Sequence, residues 1–127
     1  MDTAEVAHIP GDRLAKTVVP EDAHGYVAAV LPSTYHLHLS ELWDKTGRHL
    51  LLASESELRE LFKDCDVGAL HPVCSAYGLR TYLDESLTLQ PEIYFEAGDH
   101  EAVIQMQIEQ FLALMDQAER GRFAHRM

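Results

Sequence analysis

Three short segments carry residues whose type and spacing could serve chemistry. Lys16 stands in the apolar run 14–19, where an ammonium group must either reach solvent along its stem or meet an anion such as a phosphate. The loop Gly68–Pro72 begins with a residue that permits unusual backbone angles and ends with one that fixes them, so its amides could point at a carbonyl or anionic oxygen. His100 follows Gly98 at the end of a predicted strand and could donate to a substrate or lie in solvent. Taken one at a time, each segment is more often an ordinary strand, turn or surface position than a site.

Familiar catalytic signatures are absent from the sequence, which contains no GxSxG elbow, P-loop, HExxH or dinucleotide fingerprint. Cys65 lies between two aspartates that would suppress its thiolate, and its spacing from Cys74 fits neither a zinc knuckle nor a redox motif. His36 and His38 would share a face of an extended segment and could offer two metal ligands, but no third or fourth ligand stands at a recognisable spacing. We therefore expect reduced thiols, no metal and no cofactor.

The elements that would position these residues are strands and helices that interleave along the chain. Residues 14–19 are predicted to form a strand that Pro20 closes, and residues 26–31 a buried strand that could form a hairpin with it. The further predicted elements are a helix capped by Ser40 and ended by Gly47, strand 49–53, a helix opened by a capping box at 54–57, an irregular loop at 64–78, strands 80–83, 92–97 and 102–106, a helix from Gln107 onward and a frayed tail at 119–127. This order predicts an α+β fold with a mixed sheet and flanking helices.

Composition limits the class of protein. A chain of 127 residues with 46% hydrophobic content is long enough for one core, so residues 1–127 are expected to form a single domain. The apolar runs are too short to cross a bilayer and the N-terminus does not have the character of a signal, which predicts a cytoplasmic protein with no membrane partner. The formal charge of −11 argues against a broad basic surface for nucleic acid, and no DNA partner is expected, although a few local cations could still hold one single-stranded end.

Read together and in order, the segments resemble the YbaK/prolyl-tRNA synthetase-associated domain family of aminoacyl-tRNA deacylases. The resemblance runs from Val6 to about Phe111 and rests on eight segments, namely Leu14–Val19, Ala29–Thr34, Leu50–Glu55, Leu61–Cys65, Gly68–Pro72, Ala76–Leu79, Asp84–Leu87 and Phe95–His100. It implies a curved mixed sheet and a pocket for the 3′ end of a mischarged tRNA, with no metal. Members commonly begin with about one more helix and strand, which leaves open whether that first element is missing here and whether one sheet edge is exposed as a result.

The resemblance also implies the roles of site residues. Lys16 would engage the terminal phosphate or sugar, with Thr17 beside it. The loop of Gly68, Ala69, Leu70, His71 and Pro72 would line the aminoacyl site and polarise the ester carbonyl, and Gly98 and His100 would lie near the amino acid side chain. The implied reaction is trans-editing: hydrolysis of the mischarged ester assisted by the substrate itself, with Lys16 and Gly68 as the catalytic positions.

Three questions stay open at this level. His71 stands where small or proline residues are frequent in the family, so it could tune specificity or be an exposed bystander. The acidic balance suggests that a synthetase partner supplies the grip on tRNA. The alternative function is a catalytically degenerate module of the same fold that binds a ligand or a tRNA end for regulation.

Overall fold

The hairpin built from residues 14–32 lies at the centre of the sheet. The computed structural model describes residues 10–54, 56, 79–96 and 103–126. The strands found there are β1 Leu14–Val18, β2 Pro20–Asp22, β3 Gly25–Pro32, β4 Tyr35–Leu37, β5 Leu51–Leu52, β6 Arg80–Asp84, β7 Glu92–Glu96, β8 Val103–Gln107, β9 Glu119–Gly121 and β10 Ala124–Arg126. The helices are α1 Leu39–Thr46 and α2 Ile108–Leu114, with short 3₁₀ turns at Gly11–Arg13 and Glu85–Leu89.

The predicted hairpin is confirmed, but its first arm is longer than expected. β1 and β2 pair antiparallel with β3 in one continuous register, from Ala15 opposite Pro32 to Asp22 opposite Gly25. Gly25 has φ of +125°, a backbone conformation that favours glycine, at the end of the tight turn. β1 ends before Pro20, as expected, but pairing resumes at once, because a proline is tolerated as the first residue of a strand and β2 begins there.

Eight strands form one mixed sheet. β3 pairs with β1 and β2 on one side and with β6 on the other, so the order across the sheet is β9-β6-β3-β1-β7-β8, with β2 and β5 extending the hairpin arm. The pairs β3·β6, β6·β9 and β1·β7 are parallel and the remainder are antiparallel. β4 and β10 form a separate two-stranded sheet. The predicted α+β class with a mixed sheet is confirmed.

Both faces of the sheet are buried at β3, which explains why that strand is apolar. Side chains alternate across a strand, and those of Val30 and Ala29 accordingly belong to two different core clusters. One cluster contains Phe111 of α2 and the other contains Leu42 of α1. Neither helix of the described chain has the length and apolar character needed to span a bilayer.

The helix ends bear out some of the sequence signals. Gly47 ends α1 with φ of 71°, as predicted, and Gln107 opens α2 with a capping box. The N-cap of α1 is His38 rather than Ser40, and its side chain makes no capping hydrogen bond, so the predicted cap is two residues too late. The strand predicted at 49–53 is reduced to Leu51–Leu52. The capping box predicted at 54–57 and the loop predicted at 64–78 lie outside the described residues.

The tail differs most from expectation. We expected residues 119–127 to be frayed, whereas β9 pairs with β6 and β10 pairs with β4. Phe123, between the two strands, is fully buried. The carboxylate of Asp84 accepts hydrogen bonds from the backbone amides of Phe123 and Ala124 at 3.0 and 3.1 Å. The tail is ordered because one aromatic side chain and two backbone donors find partners inside the protein.

Candidate functional site

Lys16 lies in the middle of β1, opposite Leu31 of β3, and is half-buried. Its Nζ donates to the backbone carbonyl oxygen of Ser33 at 3.4 Å, which is long for a hydrogen bond. An ammonium group has three protons to donate, and this carbonyl is its only hydrogen-bond acceptor in the parts of the chain that the structure describes. Among the described residues, the ammonium group therefore has protons left to donate to a further acceptor.

Burial makes this ammonium group costly to keep charged. Loss of solvent around the side chain lowers the pKa of Lys16 below its ordinary value. An anion beside the ammonium would offset that cost and raise the pKa again. A phosphate is such an anion, and it is the ligand that the family resemblance implies for this position.

The carbonyl that Lys16 contacts belongs to a firmly held turn between β3 and β4. The amide of Ser33 donates to the carbonyl of Leu14 at 2.8 Å, and the Ser33 hydroxyl donates to the carbonyl of Gly11 at 2.9 Å. The hydroxyl of Thr34 donates to the carboxylate of Asp12 at 2.5 Å. A Cβ on Gly11 would clash with the methyl of Thr34, so any larger residue there would force the turn to shift. The motif around Ser33 thus fixes the oxygen that orients the lysine.

Thr17 does not share a face with Lys16. It lies opposite Val30, whose side chain belongs to the core cluster under α2, whereas Lys16 lies opposite Leu31 on the other face. The hydroxyl oxygen of Thr17 is buried and finds no hydrogen-bond partner among the described residues. The structure therefore separates two side chains that the resemblance places beside one another.

The other predicted site residues cannot be placed beside Lys16. Gly68, Ala69, Leu70, His71, Pro72, Gly98 and His100 all lie outside the described residues. Their roles remain predictions. Of the predicted site residues, the structure therefore describes Lys16 and Thr17.

Sequence reasoning did not anticipate a second region, which lies where the tail meets the body of the protein. A cavity of about 410 Å³ opens there, lined by Tyr35, Asp84, Glu85, Ser86, Thr88, Leu89, Arg120, Arg122, Ala124 and His125. Ser86, one of these lining residues, belongs to a segment that contributed to the family resemblance. No sequence pattern links that segment to the tail, because the cavity depends on the pairing of β9 with β6.

Metal-ligating side chains meet near this cavity. The sequence paired His36 with His38, whereas the structure groups His38 with Glu41 and His125, whose ligand atoms all lie within 4.8 Å of one another. Glu41 stands three residues after His38 at the start of α1, a spacing that brings two side chains together on a helix. His125 lies in the tail, and no pattern in the sequence predicts that it approaches the other two residues.

Comparison with known proteins supplies the family. Residues 1–114 match the family model of the aminoacyl-tRNA editing domain. The chain therefore belongs to the aminoacyl-tRNA editing domain family, which confirms the resemblance seen in the sequence. Membership supports an editing function for the chain. No curated protein is significantly similar to it in sequence.

Solved structures share the fold at low sequence identity. A scaffold protein from work on epitope backbone grafting by computational design is 21% identical, with a TM-score of 0.85 and coverage of 98% of this chain and 79% of that one. A protein named as a candidate trans-editing enzyme for prolyl-tRNA synthetase is 23% identical, with a TM-score of 0.80 and coverage of 96% and 76%. A candidate signal transduction protein from Marinobacter aquaeolei VT8 is 24% identical, with a TM-score of 0.82, and the match covers 92% of this chain but 26% of that one. At these identities the likeness establishes the fold alone.

Proposed function

We propose that this protein hydrolyses the ester bond of a mischarged aminoacyl-tRNA in trans. The observation that carries the proposal is the half-buried ammonium of Lys16, which among the described residues has one long contact, to the carbonyl of Ser33, in a chain of the editing-domain family. A lysine that is desolvated yet poorly satisfied is poised to receive an anion. The terminal phosphate of a tRNA acceptor end is the anion that an editing domain meets.

The role of Lys16 in this proposal is to hold the end of the substrate. A charge-assisted hydrogen bond from its Nζ to a phosphate oxygen would fix the terminal nucleotide against the turn at Ser33. Fixing that nucleotide places the ester carbonyl at a defined distance from the lysine, and such positioning can supply a large share of a rate enhancement. The phosphate binds a cation that the fold has already oriented.

The chemistry needs no protein nucleophile. Water attacks the ester carbonyl carbon, the bond to the ribose oxygen breaks, and the free amino acid leaves while the ribose regains its hydroxyl. A hydroxyl of the terminal ribose would orient the attacking water, or the mischarged side chain itself would attack in place of water, and the amides of the loop Gly68–Pro72 would stabilise the developing oxyanion. Removing one oxyanion donor in other hydrolases costs on the order of 100-fold in rate, which shows how much this form of stabilisation can contribute.

An acidic protein that reads only one end of tRNA requires little basic surface. The net charge of −11 fits a partner, such as an aminoacyl-tRNA synthetase, that supplies the wider grip on the tRNA body. Because tRNA proofreading accompanies translation, we place the activity in the cytoplasm. We propose no DNA partner and no membrane partner.

The experiment compares release of amino acid from tRNA charged with Ala, Cys or Ser on noncognate acceptors. Wild type should release at least one of them, release should persist in a chelator, and Lys16→Met should reduce the rate while Lys45→Met, on an exposed lysine of α1, should not. Binding of the charged tRNA without release of amino acid would contradict the enzyme proposal and favour the regulatory binding module. Release of amino acid that stops in chelator would favour a metal-dependent hydrolase instead.

A further inference from the structure

We propose that His38, Glu41 and His125 form a zinc-binding site that fastens the C-terminal strand to the start of α1. The three side chains come from different elements: His38 is the N-cap of α1, Glu41 lies in its first turn, and His125 lies in β10. Their ligand atoms lie within 4.8 Å of one another. The proposal concerns a site separate from the turn at Lys16 and does not depend on the editing reaction.

The spacing of the three side chains is close to the spacing of ligands around a bound zinc ion. In a tetrahedral zinc site with bonds of about 2.1 Å, ligand atoms lie roughly 3.4 Å apart. The Nε2 of His125 lies 2.6 and 2.8 Å from the two carboxylate oxygens of Glu41. The imidazole rings of His38 and His125 are 4.3 Å apart between centroids and inclined at 55°. Small rotations of exposed side chains would bring three ligand atoms around one cation.

The exposure of His38 and His125 leaves room for their side chains to turn toward a cation. The imidazole of His38 makes no capping hydrogen bond to the helix it begins, and the side chain of His125 is 54% exposed. The backbone beneath them is fixed, because β10 pairs with β4 and the amide of His38 donates to the carbonyl of Phe123 at 2.7 Å. Fixed backbones with mobile ligand tips allow binding without rebuilding the fold.

The chemistry of the donors selects the class of metal. Two imidazole nitrogens and one carboxylate suit zinc and neighbouring transition metals, whereas calcium and magnesium prefer sites built from oxygen. With three protein ligands, the fourth position would be held by water. Zinc would replace the contact between Glu41 and His125 with two stronger bonds and join the tail to α1 through three points.

The test is isothermal titration of the full, tag-free chain with zinc sulfate. We expect one zinc per chain, weakened at least about 100-fold by His125→Ala and by Glu41→Gln, since loss of a ligand should exceed the 10- to 100-fold effect of losing an outer-shell partner. His24→Ala removes an exposed histidine from the hairpin turn and is the matched control, expected to bind as wild type does. Far-UV circular dichroism shows whether each variant retains the fold.

A second readout separates this site from other zinc ligands. Saturating zinc should raise the Tm of wild type by roughly 5 °C or more, because a ligand that binds only the folded state stabilises it, and should leave the Tm of His125→Ala unchanged. Absence of stoichiometric binding, or binding that neither His125→Ala nor Glu41→Gln weakens, would overturn the proposal.

Discussion

Asp84 and Lys16 are two charged side chains that the fold takes out of water, and they differ in how completely the protein satisfies them. Asp84 is 2% exposed and accepts four hydrogen bonds, from the amide and hydroxyl of Ser86 and the amides of Phe123 and Ala124. Lys16 is half-buried and has one long contact to a carbonyl among the described residues. A buried charge whose hydrogen bonds are all made within the protein stabilises the fold, whereas one with few hydrogen bonds can gain further ones from a ligand.

The largest expected effect is on Asp84, where the comparison predicts loss of fold. Asp84→Ala leaves the buried amides of Phe123 and Ala124 and the partly buried amide of Ser86 without acceptors, and we expect the free energy of unfolding to fall by about 3 kcal/mol or more. Urea denaturation followed by circular dichroism measures the change. Ser86→Ala, which removes one hydroxyl donor and leaves the carboxylate in place, should cost about 1 kcal/mol. If Asp84→Ala destabilised the protein no more than Ser86→Ala does, Asp84 would not be the structural charge that the comparison with Lys16 requires.

The next effect is on Lys16, where the comparison predicts loss of activity without loss of fold. Lys16→Met keeps the aliphatic stem but removes the charge, so we expect the deacylation rate to fall roughly 30- to 100-fold, the value of one charge-assisted hydrogen bond. Because burial lowers the pKa of Lys16, its charged form is disfavoured in the folded state, and the variant should be at least as stable as wild type. Single-turnover hydrolysis and the Tm together test this. A variant that loses Tm as well as activity would make Lys16 a structural residue.

Asp22 and Arg48 give an intermediate case, a charge pair at the sheet edge. The guanidinium of Arg48 donates to both carboxylate oxygens at 2.6 and 2.8 Å and to the carbonyl of Gly25 at 3.3 Å. The hydrogen bonds from Arg48 hold the pKa of Asp22 well below its ordinary value. The unfolded chain therefore binds a proton at a higher pH than the folded chain does, and the stabilisation is present above about pH 4 and lost as the pH falls.

Arg48→Met should consequently lower the Tm at pH 7 and lower it progressively less below pH 4. Thermal unfolding of both proteins across that range measures the difference. Arg122→Met serves as the control, since Arg122 pairs with Glu85 through a side chain that is 87% exposed, and exposed pairs contribute little. A difference between Arg48→Met and wild type that stays constant with pH would show that the pair acts through packing alone.

The sequence predicted what is local, and the structure added what depends on distant pairing. The hairpin, the Gly47 stop and the helix after Gln107 each follow from neighbouring residues, and the ordered motifs identified the family. The tail could not be predicted, because its order depends on Phe123 filling a distant core and on Asp84, nearly 40 residues earlier in the chain, accepting its amides. The contact between His125 and Glu41 could not be predicted for the same reason.

The smallest expected effect is on Thr17, whose buried hydroxyl extends the comparison of satisfied and unsatisfied polar groups to an uncharged side chain. Thr17→Val replaces an unpartnered hydroxyl by a methyl of the same shape, so we expect a gain of up to about 1 kcal/mol in the free energy of unfolding. Thr81→Val is the control, because the hydroxyl of Thr81 donates to the carbonyl of Leu79 and its removal should destabilise. Urea denaturation compares the two. Destabilisation by Thr17→Val would mean that the hydroxyl has a partner beyond the described residues. The deacylation rate of Thr17→Val should stay unchanged, because Thr17 faces the core and Lys16 lies on the other face of the sheet.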